Sequence, residues 1–441
     1  MIEHPEARGG PTSRLVIRGA RFPADVAIEG GLVTEIGTVE ARAGDRELRC
    51  EGDIVTPGLV NTHHHLYQWM TRGRATGCDL FGWLQELYPV WNQLTTDDVA
   101  AAALVGLGEL ARSGATTVAD HHYVVPRGDD SVFDAIAAAA RTVGVRLHLS
   151  RGSMDLGESA GGLPPDDIVE DVEAILASTE AVVGRLHDGS RVSVVVAPCS
   201  PFSTSKELMV ESAELARRLG LRLHTHLAET LDEERDCLGR FGCRPLEYVA
   251  RLGWLGPDVW FAHAVHLDAS EVVRVATAGT GVAHCPSSNG RLGSGICPVR
   301  QLVEAGAPVG LGVDGAASNE AGVLQTEMRQ ALYFARLRDG HATALSPAEA
   351  LELGTSGGAR CLGRADLGRL EPGAAADIAI WPGDDLGDVP DPVAGLVLGP
   401  DRRVRHLLVG GDLVVSDGEL LGLDLAAAHS DLARRARRLW P

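Results

Sequence analysis

Lysine is nearly missing from this chain: Lys206 stands alone among 441 residues, and every other basic residue is arginine. Paired cysteines are missing too. The eight cysteines, at positions 50, 78, 199, 237, 243, 285, 297 and 361, are scattered and form no CxxC pair. That pattern reads as free thiols in a reduced, cytoplasmic protein. No uninterrupted apolar run is long enough to span a bilayer. The N-terminal MIEHPEARGGPTSR is polar and lacks the apolar core of a signal peptide. Positive charge is outweighed, with a net charge of −20. So acidic a surface repels phosphate backbones and anionic membranes, which argues against nucleic-acid and membrane partners. A small neutral or cationic molecule is compatible.

What is present is ordinary in bulk and distinctive in pattern. Hydrophobic residues make up 45% of the chain, too many for a disordered one. The length exceeds one ordinary core, so a large domain with an accessory one is expected. Short alternating segments in the first fifty residues (RLVIRGARF, DVAIEGGLVTEIG, RELRCEG) predict a small antiparallel β unit, and GAAADIAIWPG with VRHLLVGGDLVVSDGEL echoes it near the other end. Because domain termini usually lie close together, the two ends predict one small β-sandwich, residues 1–56 with 366–441. Between them, over 57–365, eight buried-looking strands alternate with Ala/Leu/Glu/Arg-rich stretches of helical spacing. Several of these begin at a Ser, Thr or Asp cap and end at Gly. The α/β pattern predicts a (β/α)8 TIM barrel. A doubly wound sheet is the alternative, but no GxGxxG follows the first strand. Leu66–Leu94, long, aromatic and irregular, follows that strand and carries Trp69, Trp83 and Trp91. It reads either as a wall over the barrel mouth or as a helix packed on the rim or on a subunit neighbour.

The first strand ends in TPGLVNTHHHLYQ. Alternate strand residues share a face, so His63 and His65 project together and His64 points away. Two adjacent imidazoles make half of a metal site. The later strand ends supply more polar groups: His224 and His226, then Glu229, from the fifth; His263 and His266 from the sixth; His284 from the seventh; Asp314 from the eighth. One such histidine is ordinarily a hydrogen-bonded core residue. A polar residue at each of five strand ends is not explained by packing, because histidines and acids are disfavoured inside an apolar barrel unless paired or ligated.

PGLVNTHHH, HTHLAE, AHAVHLD, HCPSSN and VDGAASN resemble, in that order, the amidohydrolase superfamily, and the match runs through the whole chain. Within it the chain is similar to aminohydrolases acting on nitrogen heterocycles. HHHLYQ, RGSMDLG, GGLPPD, APCSPFS and VAHCPSSN look closest to 8-oxoguanine deaminases. The resemblance implies His63, His65, His226 and Asp314 as ligands of one divalent metal ion, zinc or alternatively iron. His64 and His224 would then be packing or supporting groups. Many relatives bridge two metals with a carboxylated lysine. Lys206, in STSKELM at the start of a helix, is poorly placed for that, so a mononuclear site is expected.

The resemblance further implies Glu229 as proton shuttle, Asp314 as acceptor of a proton from the attacking water, and His263 as a group that hydrogen-bonds the developing tetrahedral centre or supports its neighbours. His266 has no assigned role, and His284 reads as a substrate contact or, preferably, as bonding a backbone carbonyl. Gln68 reads as a purine-edge contact or a loop amide. Cys199, where guanine deaminases carry arginine in a Pro-Arg-Phe run, reads as a substrate contact or a small buried hydrophobe. The expected reaction is hydrolytic deamination of a free purine-type base, 8-oxoguanine, with release of ammonia. A triazine, pterin or other heterocycle aminohydrolase or chlorohydrolase is the alternative, and a non-catalytic barrel subunit the alternative from another class. Related barrels commonly self-associate, so a homo-oligomer is expected.

Overall fold

Eight short runs, nearly every residue of them buried, form parallel strands, as sheets covered on both faces require. They are β1 (Leu59–Asn61), β2 (Ala115–His122), β3 (Arg146–Ser153), β4 (Val192–Pro198), β5 (Leu223–Leu227), β6 (Val259–His263), β7 (Gly281–His284) and β8 (Val309–Leu311). They close in the order β5-β6-β7-β8-β1-β2-β3-β4, a complete barrel without an edge. The computed structural model describes residues 14–126 and 129–439, so residues 1–13 of the expected sandwich segment lie outside the described residues.

Val60, Ala119, Val195, Trp260 and Ala283 come from five different strands yet pack into one buried cluster, which they can do only inside the barrel. They form a dry floor beneath the mouth. Helices wrap the outside, their ends set by local chemistry. Thr95, Asp268 and Ser346 close capping boxes with Asp98, Glu271 and Glu349. Gly144, Gly220 and Gly279 end helices in the left-handed conformation.

After β1 the chain makes a tight 3-10 segment, Leu66–Thr71, and then the helix Leu80–Trp91, N-capped by Asp79. Trp83 and Trp91 are buried in it, and the Trp83 indole donates to the Ala317 carbonyl at 3.2 Å. The aromatic stretch therefore lies across the barrel mouth.

The chain ends build two further sheets. Ile54–Pro57 joins Ile378–Trp381, His406–Val409, Asp412–Ser416 and Glu419–Leu420 in an antiparallel five-stranded sheet. Leu15–Arg18, Asp25–Glu29, Leu32–Gly37 and Arg46–Arg49 form the other. Ile17, Val26, Ile28 and Val33 from one sheet pack on Val55, Ile378, Ile380 and Leu408 from the other, the core of a small sandwich. One detail departs from the antiparallel expectation: Leu15–Arg18 pairs in parallel with Arg46–Arg49. The segment after Gly37 crosses over before it pairs, which alternation alone does not reveal. Among the described residues no helix is long and apolar enough to cross a membrane.

Candidate active site

Three imidazoles converge at the mouth, each fixed through its Nδ1. His65 Nδ1 meets the carbonyl of His121 at 2.6 Å, and His226 Nδ1 that of Cys199 at 2.6 Å. A carbonyl only accepts, so both rings carry the hydrogen on Nδ1 and present a bare Nε2. His63 reaches the same state by a relay. His224 Nδ1 donates to the Trp260 carbonyl at 3.0 Å, which leaves His224 Nε2 to accept from His63 Nδ1 at 2.8 Å. His224 also stacks on Trp260, 4.4 Å between ring centroids. It is a support for His63, and the barrel floor fixes it.

The three bare nitrogens face one another and one carboxylate. His65 and His226 Nε2 are 3.1 Å apart. His63 and His65 Nε2 stand 3.4 and 3.3 Å from Asp314 Oδ1. His63 Nε2 is buried with no hydrogen-bond partner among the described residues. Burial holds His63 and His226 well below the ordinary histidine range, so they stand neutral. Lone pairs brought this close repel unless a cation sits among them. Three imidazoles oriented by carbonyl or histidine acceptors beside a carboxylate suit a divalent metal ion; the ring nitrogens of His63, His65, His121 and His226 gather within 4.8 Å of one another, and so do those of His63 and His263 with the Asp314 carboxylate.

The backbone is bent to make this set. Asp314, His263, Ala264 and Ala228 adopt φ of 60, 71, 50 and 52°, which side-chain-bearing residues rarely take. Two glycines make room. A Cβ at Gly312 would lie 2.8 Å from His63 Cβ, and one at Gly315 would lie 1.7 Å from the Gln68 amide oxygen. His64 points away from the cluster, as the alternation predicts, and its Nδ1 bonds the Asp314 carbonyl.

Beyond the cluster lies a pocket walled by Trp83, Leu84, Tyr88, Tyr123, Phe202 and Leu292. Glu229, His263, Gln68 and Cys199 all reach it. Glu229 Oε2 is 3.5 Å from His263 Nε2. Burial, with the neighbouring Asp314 charge, pushes the Glu229 carboxyl up to about 8. His263 Nδ1 bonds Asn289 Oδ1 at 2.9 Å, which turns Nε2 toward the cavity. Both atoms of the Gln68 amide are buried without a hydrogen-bond partner among the described residues. Cys199 is buried, its thiol pushed up to about 12 by burial, while its carbonyl orients His226.

The remaining residues singled out from sequence lie elsewhere. His266 Nε2 bonds the Ser294 carbonyl at 2.8 Å. His284 corrects the expectation of a carbonyl partner: neither ring nitrogen has one among the described residues. Lys206 is exposed at the start of its helix, Lys206–Leu219.

Three neighbours were not picked out from sequence. His121, at the end of β2, stacks on His226 at 4.8 Å, and its carbonyl holds His65. Asn289 fixes His263, and Ser318 donates to Asp314 Oδ2 at 3.4 Å. The strand-end reading that picked His63 applies equally to His121 in VADHH. Asn289 and Ser318 act through turns that spacing does not reveal.

Residues 54–414 match the model of the Amidohydrolase family. The chain is 48% identical to an 8-oxoguanine deaminase of Pseudomonas aeruginosa over 427 residues, covering 95% of both chains. It is 39% identical to an isoxanthopterin deaminase from an unknown prokaryotic organism, covering 95% of this chain and 93% of that one. Among solved structures it is similar to the atrazine chlorohydrolase of Arthrobacter aurescens TC1 complexed with zinc. The TM-score is 0.90 at 31% identity, covering 96% of this chain and 100% of that one.

Proposed function

The chain belongs to the amidohydrolase family, and from that premise we propose that it hydrolytically deaminates a free purine-type base, 8-oxoguanine, to urate and ammonia. The observation that carries the reading is the gathering of three bare Nε2 atoms, two of them within 3.4 Å of the Asp314 carboxylate, beside a buried, proton-bearing Glu229. His63, His65, His226 and Asp314 would hold one zinc ion. When bound, the ion supplies Lewis-acid polarisation and lowers the pKa of water at the site.

The chain's own residues divide the remaining work. Asp314, which a bound cation would keep ionised, takes the proton that the attacking water gives up. Glu229, protonated near neutral pH, donates to a ring nitrogen as water adds to the carbon bearing the amino group. It takes the hydroxyl proton of the adduct and passes it to the departing amine, and the proton held by Asp314 then restores Glu229, so that water and C–NH2 become C=O and ammonia. His263, its Nδ1 donating to Asn289, presents Nε2 as an acceptor for the O–H of the attacking water. Gln68 offers a donor and an acceptor to the purine edge, and the aromatic wall stacks on the ring and keeps water out. Identity of 48% with an 8-oxoguanine deaminase supports that base as substrate.

The test is ammonia release from 8-oxoguanine by purified protein whose metal content has been measured. Turnover with about one zinc per chain is expected. Stoichiometric zinc with no ammonia from 8-oxoguanine, guanine or isocytosine would overturn the substrate. A panel of pterins and triazines run in parallel would identify the replacement.

A further inference from the structure

Glu233 sits one turn beyond Glu229, on the helix Leu231–Phe241 capped by Thr230. It is fully buried and does not line the cavity. Its two carboxylate oxygens accept the backbone N–H groups of Ala228 at 2.9 Å and Glu229 at 2.8 Å. The Thr230 hydroxyl accepts in turn from the Glu233 N–H at 3.3 Å. In an ordinary capping box the third helical residue reaches back to the N-cap amide. Here the carboxylate reaches past the cap to the two residues before it. Those two form the elbow between β5 and the helix, with Ala228 in the left-handed region. A carboxylate is costly to bury, and helix capping alone would not require this one to be buried. Its two bonds hold a strained elbow in one shape.

We infer that Glu233 is a positioning residue for the reaction, a clamp that aims the Glu229 carboxyl into the cavity; this rests on the reading of Glu229 as the proton shuttle. Glutamine at 233 has nearly the same shape but sets an NH2 group against one of the two N–H donors. One bond is then lost, and the elbow can turn. Displacing a catalytic group by about 1 Å costs on the order of 10²-fold in rate.

The experiment compares Glu233→Gln, Glu229→Gln and the double variant, on whichever panel substrate the wild-type enzyme turns over. For E233Q we expect kcat to fall by about 10- to 10²-fold, with KM within about threefold of wild type and zinc content unchanged. The double variant should be no slower than E229Q alone, because the clamp acts only through the group it holds. A merely structural role would make the two losses multiply. Hydrogen exchange at the Ala228 and Glu229 amides should be faster in E233Q. An E233Q kcat within about twofold of wild type, multiplying losses, or unchanged exchange would each overturn the clamp. If E229Q itself keeps full turnover, the proton-shuttle reading fails instead, and the exchange measurement still decides whether the clamp exists.

Discussion

Each of the three clustered imidazoles owes its protonation state to a neighbour that only accepts or has already donated: the His121 carbonyl, the Cys199 carbonyl and the Nε2 of His224. Removing the ion should therefore cost stability, because three lone pairs and a carboxylate are left facing one another. Chelation is expected to lower the thermal midpoint and abolish ammonia release, and zinc should restore both; a midpoint indifferent to zinc would argue against the cluster as its site. Glu229→Gln keeps the shape of the carboxyl but cannot transfer a proton, so turnover should fall at least ~10²-fold with zinc retained. Unchanged turnover would remove Glu229 from its role. Gln68→Ala acts on binding instead. The amide has no hydrogen-bond partner among the described residues, so its loss should leave the fold intact and raise KM by about tenfold, the worth of one good hydrogen bond to a buried partner.

At the scale of elements, the order and type of strands were readable because each barrel strand is a short apolar run flanked by capped helices, and the polar group ending it stands out against that run. His63, His226 and Asp314 could be found this way because a barrel concentrates its chemistry at strand ends. The supports were harder to see. His224 looks like a second ligand in HTH until the Trp260 carbonyl fixes its tautomer. Asn289 meets His263 only because a six-residue helix, Pro286–Arg291, turns back over the mouth. The parallel pairing of Leu15–Arg18 with Arg46–Arg49 was hidden because alternation specifies a face but not a direction. The aromatic stretch was legible as something over the mouth, but its fastening was not. Arg291 donates to the carbonyls of Arg74 and Ala75 and pairs with Glu320 at 3.0 Å. It ties the segment leading into the helix Leu80–Trp91 to the far rim. Arg291→Ala should loosen that segment, raising KM several-fold while zinc content and the thermal midpoint stay near wild type. Steady-state kinetics beside metal analysis would check this, and an unchanged KM would show that the wall holds without Arg291.

At the scale of the whole molecule, two buried polar features join or burden the barrel away from its mouth. His148 of β3 lies level with Ala119 of β2 and Ser193 of β4, and neither ring nitrogen has a partner among the described residues. Burial, reinforced by Arg364 and Arg222, lowers it to about 3. The unfolded chain therefore binds a proton that the folded one refuses between about pH 6.5 and 3, and stability falls as pH falls through that window. His148→Leu should flatten the acid side of the stability curve by up to ~1.4 kcal/mol per pH unit there, read from denaturant midpoints; an unchanged slope would mean the ring finds a proton acceptor. The second feature couples the two domains. Arg146, also on β3, forms a bidentate pair with Asp377 of the sandwich at 2.8 and 2.9 Å, and Asp377 Oδ1 also accepts the Gly410 N–H. Arg146 and Asp377 are 6% and 2% exposed, so neither can recover water if its partner is lost. Arg146→Met should cost about 3–5 kcal/mol, because it strands a buried carboxylate where the barrel meets the sandwich. Adding Asp377→Leu removes that orphaned charge, so the double variant should be more stable than R146M alone, even though it makes one fewer polar contact. If the two losses simply add, the pair is not what joins the barrel to the sandwich, and the apolar contacts around it must do so.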